Sequence, residues 1–277
     1  MDSPRAVRRG SAARWWALAA VGTALCVAIV VTPVALGSTT PASGGPVGAI
    51  AATTTPRPTP SVPSTPSTGR DGTDASPRLA DLPVRPRALF LGDSFTEGYG
   101  ASRPAAIWAT IAAGSLRWQP TVDGIGGTGF TKTTATDGTD GLGFRQRLLA
   151  RGSTGALYDV VVLQGGLNDW QATGDEEYAA VARAVRTART LWPEAVVVVF
   201  GPAEPIADGT KRLAHLPLIR DAALDSGAVF IDPSSPSPWI TAGNSDLLDL
   251  GDGLHLNDSG YAYLAARFVA AVLAQAG

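Results

Sequence analysis

Three side chains in this sequence can together perform nucleophilic chemistry. Ser94 ends the apolar run Ala88-Leu89-Phe90-Leu91-Gly92-Asp93-Ser94, which reads as a strand entering a turn. His255 lies in Asp252-Gly253-Leu254-His255, just before the last amphipathic stretch. A serine hydroxyl is a weak nucleophile until a base takes its proton, and an imidazole does so near neutral pH. A carboxylate that holds the imidazole tautomer and stabilises the imidazolium completes such a relay. Asp252, three residues before His255, is placed for that task. Since the chain has only two histidines, the choice of base is narrow.

The elements that must position these groups occupy only part of the 277 residues. Residues 1–14 carry Arg5, Arg8, Arg9 and Arg14 against one acid, Asp2, and residues 15–36 carry no charge. The uncharged stretch is long enough to cross a bilayer, which takes about 20 residues. Arginines before it place the N-terminus in the cytoplasm and the rest of the chain outside. We read it as an uncleaved membrane anchor, with a cleaved signal peptide as the alternative. Residues 37–86 are rich in Pro, Thr, Ser and Gly, as in Thr53-Thr54-Thr55-Pro56 and Pro63-Ser64-Thr65-Pro66. Such a composition buries too little apolar surface to order itself, so a disordered, extended linker is expected. Residues 87–277 remain as one globular domain. The single cysteine, Cys26, falls in the apolar stretch and excludes intramolecular disulfides and cysteine metal sites. A formal net charge of −2 and the absence of a basic stripe argue against nucleic acid as a partner.

Within residues 87–277, apolar β-rich runs alternate with helical spacing. Strands are expected at 88–91, 121–123, 160–164, 195–200 and 228–231, and helices at 105–116, 175–191, 211–226 and 258–275. The runs Val160-Val161-Val162-Leu163 and Val196-Val197-Val198-Val199-Phe200 are nearly continuous, the mark of strands covered on both faces. Strand–helix alternation implies an α/β domain with a roughly five-stranded parallel sheet between helices. Ligands of such sheets bind beyond the carboxyl ends of the strands. Ser94 follows the first strand, Gly124-Ile125-Gly126-Gly127-Thr128-Gly129 the second, and Gly166-Leu167-Asn168-Asp169 the third. All three motifs therefore fall on one edge.

Gly92-Asp93-Ser94, the glycine block, Gly166-Leu167-Asn168-Asp169 and Asp252-x-x-His255 occur in the order of the SGNH, or GDSL, hydrolases, and the chain resembles that family over residues 92–255. The resemblance implies a flavodoxin-like three-layer sandwich, with Ser94 as nucleophile, His255 as base and Asp252 as its orienting carboxylate. It also implies an oxyanion hole from the Ser94 amide, a glycine amide of the second block and the Asn168 side chain. Gly129 fits the family's Gly-x-x-Gly ending, with Gly126 and Gly127 as rivals. Two departures stand out. Phe95 replaces the leucine that names the GDSL motif, and Gly124 stands where many members have asparagine. The sequence lacks the Gly-x-Ser-x-Gly nucleophile elbow of lipase-type α/β-hydrolases.

Other motifs have plainer readings. Asp93 and Asp169 are read as structural acids that satisfy loop amides. A paired-carboxylate glycosidase would leave the serine and histidine without a task. His215 is read as an ordinary helix or loop residue, and Asp137-Gly138-Thr139-Asp140-Gly141 as a solvated turn lacking the bidentate glutamate of a calcium loop. Trp108, Trp170 and Trp239 are assigned to the core, with a cleft as the alternative. The expected activity is extracytoplasmic hydrolysis of short-chain acyl or O-acetyl esters through an acyl-enzyme, without metal or cofactor. The partners are then a small-molecule or polysaccharide ester and, through residues 15–36, the membrane. The alternatives are an O-acyltransferase using the same acyl-enzyme and a non-catalytic envelope- or carbohydrate-binding module.

Overall fold

The two valine-rich runs form adjacent central strands, because residues apolar on both sides must be covered on both sides. The computed structural model describes residues 76–203 and 213–277. The expected basic N-terminus, membrane segment and most of the linker lie outside the described residues, as do 211–212 at the start of one expected helix. The strands are β1 (Arg87–Gly92), β2 (Gln119–Gly124), β3 (Val160–Gln164), β4 (Val196–Phe200) and β5 (Val229–Ile231). They form one sheet in the order β2-β1-β3-β4-β5, with every pair parallel. The fold is thus the five-stranded parallel α/β arrangement expected. Register aligns the carboxyl ends: Gly92 pairs with Gly124 on one side and Gln164 on the other, and Gln164 pairs with Phe200.

Seven α-helices are described: α1 (Ser94–Glu97), α2 (Trp108–Leu116), α3 (Phe144–Ser153), α4 (Gly174–Leu191), α5 (Leu216–Asp225), α6 (Ser245–Leu248) and α7 (Asp258–Ala276). Strand alternation divides the core into two layers. Phe90, Val162 and Val198 pack with Trp108 of α2 and Phe268 of α7. Leu91, Val161 and Val199 pack with Leu148 of α3, Val185 of α4 and Ile219 of α5. Helix α4 starts in a capping box, with the Thr173 side chain accepting from the Glu176 amide and Glu176 returning to the Thr173 amide. Asn257 caps α7 by accepting from the Gly260 amide. Among the described residues no helix is long and apolar enough to cross a membrane.

The structure adds to the sequence reading in three places. Helix α3 was not expected, because its arginines at 145, 147 and 151 and Gly152 hide the apolar pair Phe144 and Leu148. The packed domain begins before residue 87, since Leu79, in a short 3₁₀ turn, is buried in the α2–α7 layer. Trp108 and Trp239 belong to that same layer, whereas Trp170 is half-buried.

Phe90 is fully buried in the central strand, with ring centroids of Trp108 at 5.6 Å and Phe268 at 6.4 Å. Replacing it leaves a cavity that rigid neighbours cannot fill. Phe90→Ala should cost about 3–5 kcal/mol of unfolding free energy in a denaturant titration. A cost under about 1 kcal/mol would contradict this packing.

Candidate active site

Strand β1 ends on Gly92 because nothing larger fits. A methyl group there would stand 2.2 Å from Thr96 Oγ1 and 2.7 Å from Gln164 Oε1. Asp93 then caps α1, its carboxylate accepting from the Phe95 amide at 3.0 Å, and Ser94 becomes the first residue of that helix. The chain thus turns abruptly at the carboxyl edge and presents the Ser94 side chain to a cavity of about 610 Å³. Ser94, Gly126, Gly127, Asn168 and His255 all line it.

His255 arrives from the loop before α7. Its Nε2 is 3.1 Å from Ser94 Oγ, and its Nδ1 is 2.7 Å from Asp252 Oδ2. Asp252 Oδ1 also accepts from the Leu254 amide at 3.0 Å and the His255 amide at 2.8 Å, so the carboxylate folds the loop that it serves. Partial burial acts to raise the Asp252 pKa, but those amides and the imidazole outweigh it and hold it at about 2. An ionised Asp252 fits an Nδ1–H tautomer, which leaves the Nε2 lone pair directed at the serine. The loop is tied to the β1 side by Tyr261 of α7, whose hydroxyl donates to the Tyr99 carbonyl at 2.7 Å, and by Ser102 bonding Asp258 through its amide at 2.8 Å. The Tyr99 ring lies 4.4 Å from the imidazole, centroid to centroid.

The second and third motifs meet through Asp169. This buried carboxylate accepts from the amides of Phe130, Thr131 and Lys132 and from the Thr131 hydroxyl, at 2.7–3.0 Å. Asn168 Nδ2 donates to the Thr128 carbonyl at 2.9 Å, leaving a second N–H on a side chain that lines the cavity. The expectation for Gly129 needs correction. Its amide donates to the Lys132 carbonyl at 2.8 Å, and it is not among the residues lining the cavity. The tight turn over Asp169 draws that N–H inward. Gly126 and Gly127 line the cavity instead, and neither their amides nor that of Ser94 has a partner among the described residues. Gly127 has φ +80°, a left-handed backbone that suits glycine.

With the site assembled from β1, β2, β3 and the α7 loop, likeness to known proteins becomes informative. The sequence profile described as the GDSL-like Lipase/Acylhydrolase family matches residues 90–263. The chain belongs to that family. It is 30% identical over 202 residues to a GDSL lipase of Mycobacterium tuberculosis, covering 69% of this chain and 83% of that protein. Among solved structures, a carbohydrate acetylesterase family member from Sinorhizobium meliloti superposes with a TM-score of 0.54 at 19% identity, over 69% of this chain and 99% of that one. A carbohydrate esterase family 2 enzyme from Corynascus thermopiles gives 0.54 at 18%, over 70% and 67%. At these identities the structures show a shared fold.

Both departures from the GDSL pattern have a packing explanation. Phe95 is buried against Tyr261 and His255, with centroids at 6.4 and 6.1 Å, so the larger ring fills space under the histidine loop. Gly124 lies against α1, where a methyl would be 1.9 Å from the Glu97 amide, so an asparagine has no room. His215 occupies the N-cap position of α5 and does not line the cavity. Asp137 and Asp140 form a turn, accepting from the Thr139 amide at 2.9 Å and the Thr133 hydroxyl at 2.6 Å. Among the described residues no group of three or more His, Cys, Asp or Glu is placed to hold a metal.

Sequence reasoning missed the charged layer beneath the site. Arg147 of α3 is buried and donates to the Asp123 carboxylate at 3.1 Å and the Gly92 carbonyl at 2.7 Å, joining the ends of β1 and β2. Glu177 of α4 is fully buried with both carboxyl oxygens unpartnered. Its burial, with the Asp169 charge nearby, raises its pKa from 4.5 to about 9. Burial likewise raises Asp93 from 3.8 to about 7, against the Phe95 hydrogen bond. The folded protein keeps both protons over a range in which the unfolded chain releases them. The stability from these groups is full below about pH 4 and falls as pH rises toward 9. Glu177→Gln should therefore raise Tm at pH 8 by several degrees, at about 2–4 °C per kcal/mol. It should also flatten the dependence of Tm on pH between 5 and 8. An unchanged pH slope in calorimetry would refute a buried neutral Glu177.

Proposed function

We propose that this GDSL-family hydrolase cleaves short-chain acyl or O-acetyl esters through a Ser94 acyl-enzyme. The carrying observation is the unbroken chain of contacts from Asp252 Oδ2 through both His255 nitrogens to Ser94 Oγ at the cavity wall. Ser94 Oγ attacks the acyl carbon while its proton passes to His255 Nε2. The electron pair driven onto the carbonyl oxygen is held by the Ser94 amide, an amide of Gly126 or Gly127, and Asn168 Nδ2. When the intermediate collapses, the C–O bond to the alcohol breaks and His255 returns its proton to the leaving oxygen. Water then repeats the sequence, its proton passing to His255 and its oxygen to the acyl carbon, and Ser94 is released.

A cavity of about 610 Å³ suits a small acyl group with part of its alcohol. The two fold neighbours are a carbohydrate acetylesterase family member and a carbohydrate esterase. An O-acetylated polysaccharide is accordingly the substrate class that we favour. Residues 1–36, with arginines preceding an uncharged stretch, support an extracytoplasmic domain on a membrane anchor.

Fluorophosphonate labelling and p-nitrophenyl acetate turnover test the assignment. Both should vanish in Ser94→Ala and in His255→Ala. Asn168→Ala should lose about 10²–10³-fold in kcat, the effect of deleting one oxyanion donor. A Ser94→Ala protein with full turnover would overturn the scheme.

A further inference from the structure

The charge of the cavity goes beyond ester cleavage itself. Two carboxylates, Glu97 and Asp137, line it together with Tyr99 and His255, and among the described residues no lysine or arginine does. Glu97 lies three residues after Ser94 on α1, and its carboxylate has no hydrogen bond or ion pair among the described residues. It stands beside the nucleophile. A methyl built on Gly126 would be 2.7 Å from Glu97 Oε2, 3.2 Å from Thr136 Oγ1 and 3.6 Å from Ser94 Cβ. Asp137 follows Thr136 and lines the same cavity. Its pKa is lowered, first by the Thr139 amide, which keeps it ionised.

Given the acyl-enzyme scheme, on which this inference rests, the departing alcohol must lie on the His255 side, because Nε2 protonates it. That side is bordered by Tyr99, whose ring lies over the imidazole and is half exposed. An aromatic face beside the imidazole, and in the same cavity beside Gly126 a carboxylate without a partner among the described residues, are elements that attract an alkylammonium. A carboxylate or phosphate in the same place would meet two like charges without a compensating cation among the described residues.

We infer that Glu97, Asp137 and Tyr99 make the cleft selective for esters whose alcohol carries a positive charge, with Glu97 as the main specificity-determining residue. The substrate class is then an acyl ester of an ammonium-bearing alcohol, such as a sugar with a free amino group. The cleft is open to solvent, so the attraction is moderate and salt-sensitive.

The test compares two esters of nearly the same shape, acetylcholine and its uncharged analogue 3,3-dimethylbutyl acetate, by acetate release from the full chain. At low ionic strength kcat/KM for the cationic ester should exceed that for the neutral one by about tenfold, and about 0.5 M NaCl should shrink the ratio several-fold. E97Q should lower the ratio at least about threefold, and E97Q/D137N should lower it further. Because the readout is a ratio within each protein, a partly folded variant does not distort it. A wild-type ratio at or below one, or a ratio unchanged in both variants, overturns the selectivity while leaving the hydrolase intact. Absence of turnover of both esters together with absence of fluorophosphonate labelling overturns the acyl-enzyme reading and this inference with it.

Discussion

The molecule depends on the flush contact between helix α1 and the ends of β1 and β2. Gly92 and Gly124 are paired across the sheet, and a side chain on either would collide with α1. Without those two side chains the helix can sit directly on the strand ends, capped by Asp93, with Ser94 in its first turn. A larger residue at either position would lift α1 and with it Ser94, while the rest of the sheet could remain. Catalytic geometry tolerates displacements of less than about 1 Å. The glycines thus set the reach of Ser94 to an imidazole contributed from 161 residues further along the chain.

Around that contact, charge is distributed in two layers with opposite roles. Below the site, Arg147 and Asp123 form a buried pair that also engages the Gly92 carbonyl. Buried ion pairs bring little net stability, because desolvation offsets their attraction. Their geometric effect is to align two strand ends. Asp169 does similar work for the second loop, where four donors on one carboxylate fix the path of Phe130–Lys132. Above the site, Asp252, Glu97 and Asp137 remain in contact with solvent. Asp252 is matched to a histidine, whereas Glu97 has no partner among the described residues and lines the cavity. A carboxylate unpaired in a cleft costs little when hydrated and exerts its effect when a charged ligand displaces that water.

Much of this was legible from sequence because it rests on local rules. Unbroken valine runs require strands covered on both faces, strand–helix alternation requires a parallel sheet, and motifs following strands one, two and three then share an edge. Asp252 and His255 are three residues apart, so their pairing is a property of one loop. Helix α3 was not legible, because its buried face includes an arginine whose partners lie on β1 and β2. Neither composition nor periodicity marks such a residue as interior.

What the sequence by itself determined is the parallel α/β sheet and the edge on which Ser94, the glycine block and Asn168 gather, since both follow from residue type and hydrophobic period. Only the tertiary structure decided which amides are left without a partner among the described residues at the cavity. The Gly-x-x-Gly ending favoured Gly129, but the turn around Asp169 directs that amide to the Lys132 carbonyl and leaves Gly126 and Gly127 at the cavity. The same holds for Glu97 and Asp137, which are separated in the chain and brought to one cavity by the loop after β2. Hydrogen-bond partners and cavity walls are set by where distant segments come to rest, and a one-dimensional pattern does not encode those distances.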